Sequence, residues 1–297
     1  MSLRSEMILD AKWIMHDGFL RTNANGELDS KGYATSWENN LLREIDPRRV
    51  EVDLRGKGGS ELEGKFRAAH SSAALAVNAF GYFIDATERL PIPGFAELQF
   101  DGFEKLFPTG VGRKPPHLDA LAHNDETVVA IESKCLEYFT PKTAKFARDY
   151  FEKIVDERRN GPWFAEMVRL SEQPCTYTCL DAAQLIKHAF GLALTVPTAV
   201  TLLYVFWEPD DAHYHSMFAD HRAEIADFAS RVAGGRPAFQ ALSHQELWAH
   251  WATLGSASLQ AHVDRLQLRY GGILNSYEGY SRVNGRKTDE GFWGDFD

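Results

Sequence analysis

Apolar residues recur along this chain in three rhythms, which divide it into elements. Ala199 to Trp207 (AVTLLYVFW) is a nearly unbroken apolar, β-rich run, as expected of a strand buried on both faces. Phe95 to Phe107 alternates apolar and polar for part of its length and predicts a strand. Leu118 to Ala122 and Thr127 to Lys134 predict two more, joined through the turn formers Asn124-Asp125-Glu126 as a hairpin spanning His117 to Cys135. Steps of three and four mark helices. The longest in the first half is predicted over Glu61 to Thr87, with Phe66, Ala69, Ala73, Leu75, Ala76, Phe80 and Phe83 on one side and Ser60 as N-cap. Its Ala- and Ser-rich side is thin enough to lie close to a sheet. Asn78 and His70 near that side are read as groups satisfying buried backbone.

Pro91-Ile92-Pro93-Gly94 ends that helix, and Pro108 to Pro116 is a loop with two basic residues. Thr140 to Trp163 predicts a helix with Pro141 at its first position, and its basic residues read as a solvated face. Further helices are predicted over Leu180 to Leu194, His215 to Val232, Ser243 to Leu254 and Ser258 to Tyr270, with a last short strand at Phe239 to Leu242. Trp248 and Trp251 read as a core stripe. The first 50 residues show a strand or helix at Trp13 to Met15, a turn at Asn23 to Lys31 centred on Asn25-Gly26, and a short helix at Trp37 to Arg43. The tail from Gly271 reads as loose. With no repeat and no forcing linker, the 297 residues are expected to form one α/β domain. Its core is placed at about 60–210, with 1–59 and 211–297 as elaborations.

Composition narrows the class. A chain 44% hydrophobic and 25% charged is an ordinary globular mix. No apolar run reaches the roughly 20 residues of a membrane helix, and the start lacks a signal-peptide core, so a cytoplasmic location is expected. Three cysteines, Cys135, Cys175 and Cys179, do not suggest a disulfide framework and are one short of a four-cysteine iron–sulfur site. A net charge of −10 argues against a passive nucleic-acid coat, but leaves room for an enzyme with a local basic groove.

The hairpin carries the candidate chemistry. If Asp125 and Glu126 are its two loop residues, Asp119 on the first strand faces Glu132 on the second, with Cβ atoms about 5 Å apart. Lys134, two residues on, points to the same side. Two carboxylates, with the Ser133 carbonyl as a third oxygen, suit a hard cation, Mg²⁺ or Mn²⁺. Such a cation would neutralise a scissile phosphate and activate water, and Lys134 could orient that water and stabilise the transition state. The bland alternative is a cross-strand surface patch. The chain also holds a decoy of the same spacing type, Asp53 with Glu63 and Lys65, across the glycine-rich Arg55 to Ser60 loop, which lacks P-loop spacing.

The order helix, strand, hairpin with Asp then Glu-x-Lys, helix, strand resembles the PD-(D/E)XK nuclease superfamily, the restriction-endonuclease-like fold. The resemblance covers roughly residues 60–210. It implies a mixed sheet flanked by helices, with Asp119, Glu132 and Lys134 as the catalytic motif; His117-Leu118 stand where many members have Pro. It further implies an acid on the first helix, Glu63 with Glu61 as rival, and a polar residue on the helix after the hairpin, Gln184. Two functions follow. One is a Mg²⁺-dependent nuclease hydrolysing phosphodiester bonds in DNA, with a homodimer as a candidate assembly. The other is a catalytically silent nuclease fold that binds nucleic acid or acts as a scaffold. Elsewhere, His213-x-His215 is a zinc candidate, with a polar loop as the plainer reading, and no G-x-S-x-G elbow is present.

Overall fold

A computed structural model describes residues 2–23, 26–55, 62–112 and 115–274. Helices α1 (Leu3–Thr22), α2 (Pro47–Arg55) and α3 (Ser72–Phe80) precede strands β1 (Gln99–Leu106), β2 (His117–His123) and β3 (Thr127–Lys134). Helices α4 (Arg148–Lys153), α5 (Pro162–Glu172) and α6 (Ala182–Thr195) lead to strand β4 (Ala199–Phe206). Helix α7 (Ser216–Arg231), strand β5 (Ala238–Ser243) and helices α8 (His244–Ala252) and α9 (Ala257–Tyr270) complete the order. The five strands form one sheet in the order β1-β2-β3-β4-β5, antiparallel through β3 and parallel from β3 to β5. The expected α/β architecture, a mixed sheet flanked by helices, is the one observed.

The unbroken apolar run becomes β4, and its two faces serve two cores. Leu203 and Val205 pack in one core with α3, α8 and α9, while Leu202, Tyr204 and Phe206 pack in the other with α5, α6 and α7. Helix α1 joins the first core through Met7, Ala11, Ile14 and Met15 and meets α9 where Gly18 lies on the Arg269 backbone. A Cβ at Gly18 would stand 1.9 Å from the Arg269 carbonyl oxygen. Gly18→Ala is therefore expected to cost about 2–3 kcal/mol, since neither backbone can yield without parting the helices. Chemical denaturation would measure it, and a loss below about 0.5 kcal/mol would show that α1 does not dock tightly.

Several expected elements are redrawn. The helix predicted over 61–87 is short: residues 62–71 form turns and a 3-10 segment, Tyr33 bridges Ala68, and α3 starts only after Ser71, whose side chain accepts from the Ala74 amide. Backbone spent on the bridge is not available to a helix. The helix predicted over 140–163 is mostly absent, because the chain runs without helix until α4 and is tied down by the Ala144 amide donating to the Pro174 carbonyl. Helices α2 and α5 carry no expectation from the sequence, and α1 extends well beyond Trp13 to Met15, the stretch expected as strand or helix. The strand predicted from Phe95 starts at Gln99, and Trp37–Arg43 contains only a 3-10 turn at Glu38–Asn40. At the start of the supposedly loose tail, Leu274 is fully buried and its amide donates to Asp211. Asn25, Ser60 and Glu61 lie outside the described residues. Among the described residues no helix is long and apolar enough to cross a membrane.

Candidate active site

The hairpin turn is held by Asn124. Its Oδ1 accepts from the Glu126 and Thr127 amides at 3.0 and 2.9 Å, and its own amide donates to the Thr127 carbonyl at 3.0 Å. This leaves Asp125 and Glu126 as the loop residues and sets the pairs His123↔Val128, Ala122↔Val129, Leu121↔Ala130 and Ala120↔Ile131, the register expected. The next positions are Asp119 and Glu132. There the ladder stops, and the Asp119 carboxylate takes its place, accepting from the Ser133 amide at 2.6 Å. Ala130 belongs to the core that packs on α6, so Glu132 and Lys134, two and four residues on, face the same layer.

Helix α6 completes the site. Asp181 caps it, accepting from the Gln184 amide at 3.0 Å, and its apolar stripe (Leu185, Ile186, Ala189) packs into the core beneath β4. One turn apart on this helix, Gln184 and His188 reach the two oxygens of Glu132. Gln184 Nε2 donates to Oε1 at 2.7 Å, and His188 Nε2 lies 3.1 Å from Oε2, an ion-pair contact without hydrogen-bond alignment. Lys134 Nζ donates to the same Oε1 at 2.5 Å. The Glu132 carboxylate, 1% exposed, is thus held by three cationic or donor groups.

The electrostatics follow from that geometry. Burial pushes the Asp119 carboxyl well above its ordinary range, and the neighbouring Glu132 charge adds to this, while Lys134 and the Ser133 amide offset part of it. Burial also works against Glu132, but Lys134 and His188 outweigh it and hold its carboxyl down to about 2. Lys134 is desolvated, yet the two acids keep it firmly protonated. The free site therefore rests as a Glu132–Lys134 ion pair beside an Asp119 that resists ionisation. A cation at Asp119 would replace the missing countercharge.

Ser133 divides its groups between layers. Its hydroxyl lies 3.0 Å from His244 Nε2 in the opposite core. The Lys134 carbonyl accepts from the Trp207 amide beyond β4, so the preceding carbonyl, that of Ser133, faces the β2 side, where Asp119 stands. Two carboxylates and a carbonyl form an all-oxygen donor set suited to a hard divalent ion. Among the described residues no three His, Cys, Asp or Glu side chains are already grouped as a metal cage. This agrees with Lys134 and the Ser133 amide occupying the carboxylates.

The other expected residues are placed differently. Glu63 sits in the turn before the 3-10 segment, exposed, its carboxylate 3.9 Å from Arg55, and no hydrogen bond or ion pair joins it to Asp119, Glu132 or Lys134. The decoy does not converge either: Asp53 accepts from the Phe103 amide at 2.8 Å, whereas Lys65 is exposed. Of the zinc candidates, His215 is buried against Asp211 at 3.1 Å. All three cysteines are free thiols, Cys135 and Cys179 buried and Cys175 exposed. His188 was not singled out from sequence, although its place four residues after Gln184 on an apolar stripe was the available signal.

Comparison with curated proteins and with solved structures returns no match. A family model does match, over residues 7–271, and so takes in most of α1, the elements from α2 to α9, the sheet and the whole Asp119–Glu132–Lys134 hairpin. That span is most of the chain, and the chain belongs to the family described as restriction endonuclease associating with ARP.

Proposed function

We propose that this chain is a nuclease of the PD-(D/E)XK type, hydrolysing phosphodiester bonds in DNA with Mg²⁺ or Mn²⁺. The observation that carries the reading is the hairpin register, which brings Asp119 opposite Glu132 and puts Lys134 on their side, with Gln184 bonded to the same carboxylate. Family membership supports the nuclease class. Asp119, Glu132 and the Ser133 carbonyl are the groups that would hold the ion. When bound, the ion supplies charge neutralisation at the scissile phosphate and a bound water of lowered pKa. Lys134 leaves Glu132 to orient that water and stabilise charge on the phosphorane. Gln184 and His188 keep Glu132 aimed while Lys134 moves.

The presence of both acids and the lysine on the hairpin favours this reading over the silent-scaffold alternative. The family description names association with ARP, and we extend that association to this chain. Incubation of the purified chain with DNA and RNA, in Mg²⁺, Mn²⁺ or EDTA, tests the activity. The expected result is DNA cleavage that EDTA abolishes. Failure to cut either nucleic acid, together with no stabilisation by either metal, would overturn the reading.

A further inference from the structure

The basic run between the hairpin and α5 divides into two parts. Its later members are neutralised within their own stretch. Arg148 pairs with Glu152 at 2.5 Å, Lys153 with Asp149 at 2.6 Å and Arg158 with Asp156 at 2.6 Å. Arg159 donates to the Phe151 and Ile154 carbonyls at 2.8 and 3.2 Å. The earlier members are left over. Lys142 and Lys145 are exposed, and among the described residues neither makes an ion pair or a side-chain hydrogen bond.

These two lysines stand on a stretch that is fastened along α6. Residues 141–147 take no regular structure, but the Ala144 amide donates to the Pro174 carbonyl at 2.8 Å. Lys142 and Ala144 share the lining of one small cavity with Asp181, Ala182 and Ala183 at the start of the helix. Further on, the Phe146 ring meets Tyr150, and Tyr150 meets Phe190 of α6, with centroids 6.4 and 6.1 Å apart.

Helix α6 supplies a third cation. Lys187 follows Gln184 by three residues and so neighbours it on the helix surface, and Gln184 is bonded to Glu132. The Lys187 ammonium stands 5.6 Å over the Phe146 ring, half-buried, with no ion pair among the described residues. Burial lowers its pKa, and the charge of Asp181 offsets only part of this. A cation desolvated without a bonded counter-ion carries a penalty that an arriving anion would relieve.

We propose that Lys142, Lys145 and Lys187 form a strip that grips the phosphate backbone of DNA and leads it along α6 to the Glu132–Lys134 site. The proposal rests on the nuclease reading for the identity of the polyanion. In a chain of net charge −10, attraction of a phosphate backbone depends on a local group of cations that are not already neutralised. The strip supplies one on the helix that holds Glu132. Contacts of this kind position the duplex without reading its bases.

Fluorescence anisotropy of a labelled DNA duplex with the full chain, in EDTA and again in Ca²⁺, tests the strip. Lys142→Gln/Lys145→Gln/Lys187→Gln should bind at least about tenfold more weakly, with the slope of log Kd against log salt shallower by about three, one for each lost phosphate contact. Lys142→Gln/Lys145→Gln, confined to exposed side chains, should melt as the wild type does and have a slope shallower by about two. Arg148→Gln/Glu152→Gln, which removes a neutralised pair from the same stretch, should bind like the wild type. If the wild type cuts DNA and the triple variant binds and cuts it equally well, the strip is overturned and the nuclease reading stands. Equal losses from the Arg148/Glu152 variant, or lysine-dependent binding of an RNA strand in place of DNA, would also overturn the strip. A wild type that neither binds nor cuts DNA sinks both.

Discussion

Asp119→Asn should abolish cleavage and yet make the metal-free protein more stable, whereas Lys134→Ala should abolish cleavage and make it less stable. Both variants remove a group from the proposed chemistry, and loss of activity of at least about 10³-fold is expected for each. Their stabilities diverge because the free site is unbalanced. The native pKa of Asp119 is raised by burial and by Glu132. Ionising it therefore costs native stability as the pH rises through that pKa, and the amide escapes the cost while still accepting from the Ser133 amide. A gain on the order of 1 kcal/mol at neutral pH corresponds to about one pKa unit of relief. Lys134 is the countercharge for the buried Glu132, 2.5 Å away. Its removal leaves a buried carboxylate with only Gln184 and His188, a loss of about 3 kcal/mol. Urea denaturation of both variants in EDTA, alongside a DNA-cleavage assay, gives the comparison. Equal stability changes in the two variants would contradict the charge arrangement described for the hairpin.

Acid should unfold this protein well before its carboxylates are neutralised. His221 and His244 are both fully buried, and burial pushes each down to about 3. His221 stacks on Tyr138 at 4.2 Å and approaches the Tyr204 hydroxyl at 3.2 Å, while His244 sits against Ser133 and Trp248. A depressed native pKa gives stability that is fully present above the unfolded value of about 6.5 and is lost as the pH falls toward the native one. Each histidine contributes a slope of about 1.4 kcal/mol per pH unit in that window, so the two together should remove roughly 3–4 kcal/mol between pH 7 and pH 5. His244→Gln should flatten the slope by about one proton. Denaturant midpoints measured across that range would expose the idea as wrong if they stayed level.

How much of this was legible before coordinates depended on where the information lay. The hairpin was readable because its two signals are local: a period of two in the strands, and an asparagine that builds its own turn. Strand β4 declared itself by an apolar run that serves two cores at once. Helix α6 and Gln184 were also readable, the helix from its periodicity and Gln184 through the resemblance. Helix α1 was not, because its buried stripe of Met7, Ala11, Ile14, Met15, Gly18 and Phe19 is narrow and broken by polar residues, and only α9 makes sense of Gly18. The Ala- and Ser-rich stretch before α3 mimicked helix, but its backbone pairs with Tyr33, a partner no local window contains. His188 shares the same difficulty: a histidine in an apolar stripe, it acquires its place only through Glu132, 56 residues away.

The bulge in β1, where the register slips between Phe100 and Gly102, bears on self-association. β1 is an outer strand of the sheet. An outer strand with free amides is a template for a strand from another molecule. Here the Phe103 amide is already taken by Asp53, the register is broken at Gly102, and Asp101, Glu104 and Lys105 put charge along the strand. The bulge thus blunts this edge against aggregation. Any homodimer of this chain would accordingly not be built by extending the sheet through β1.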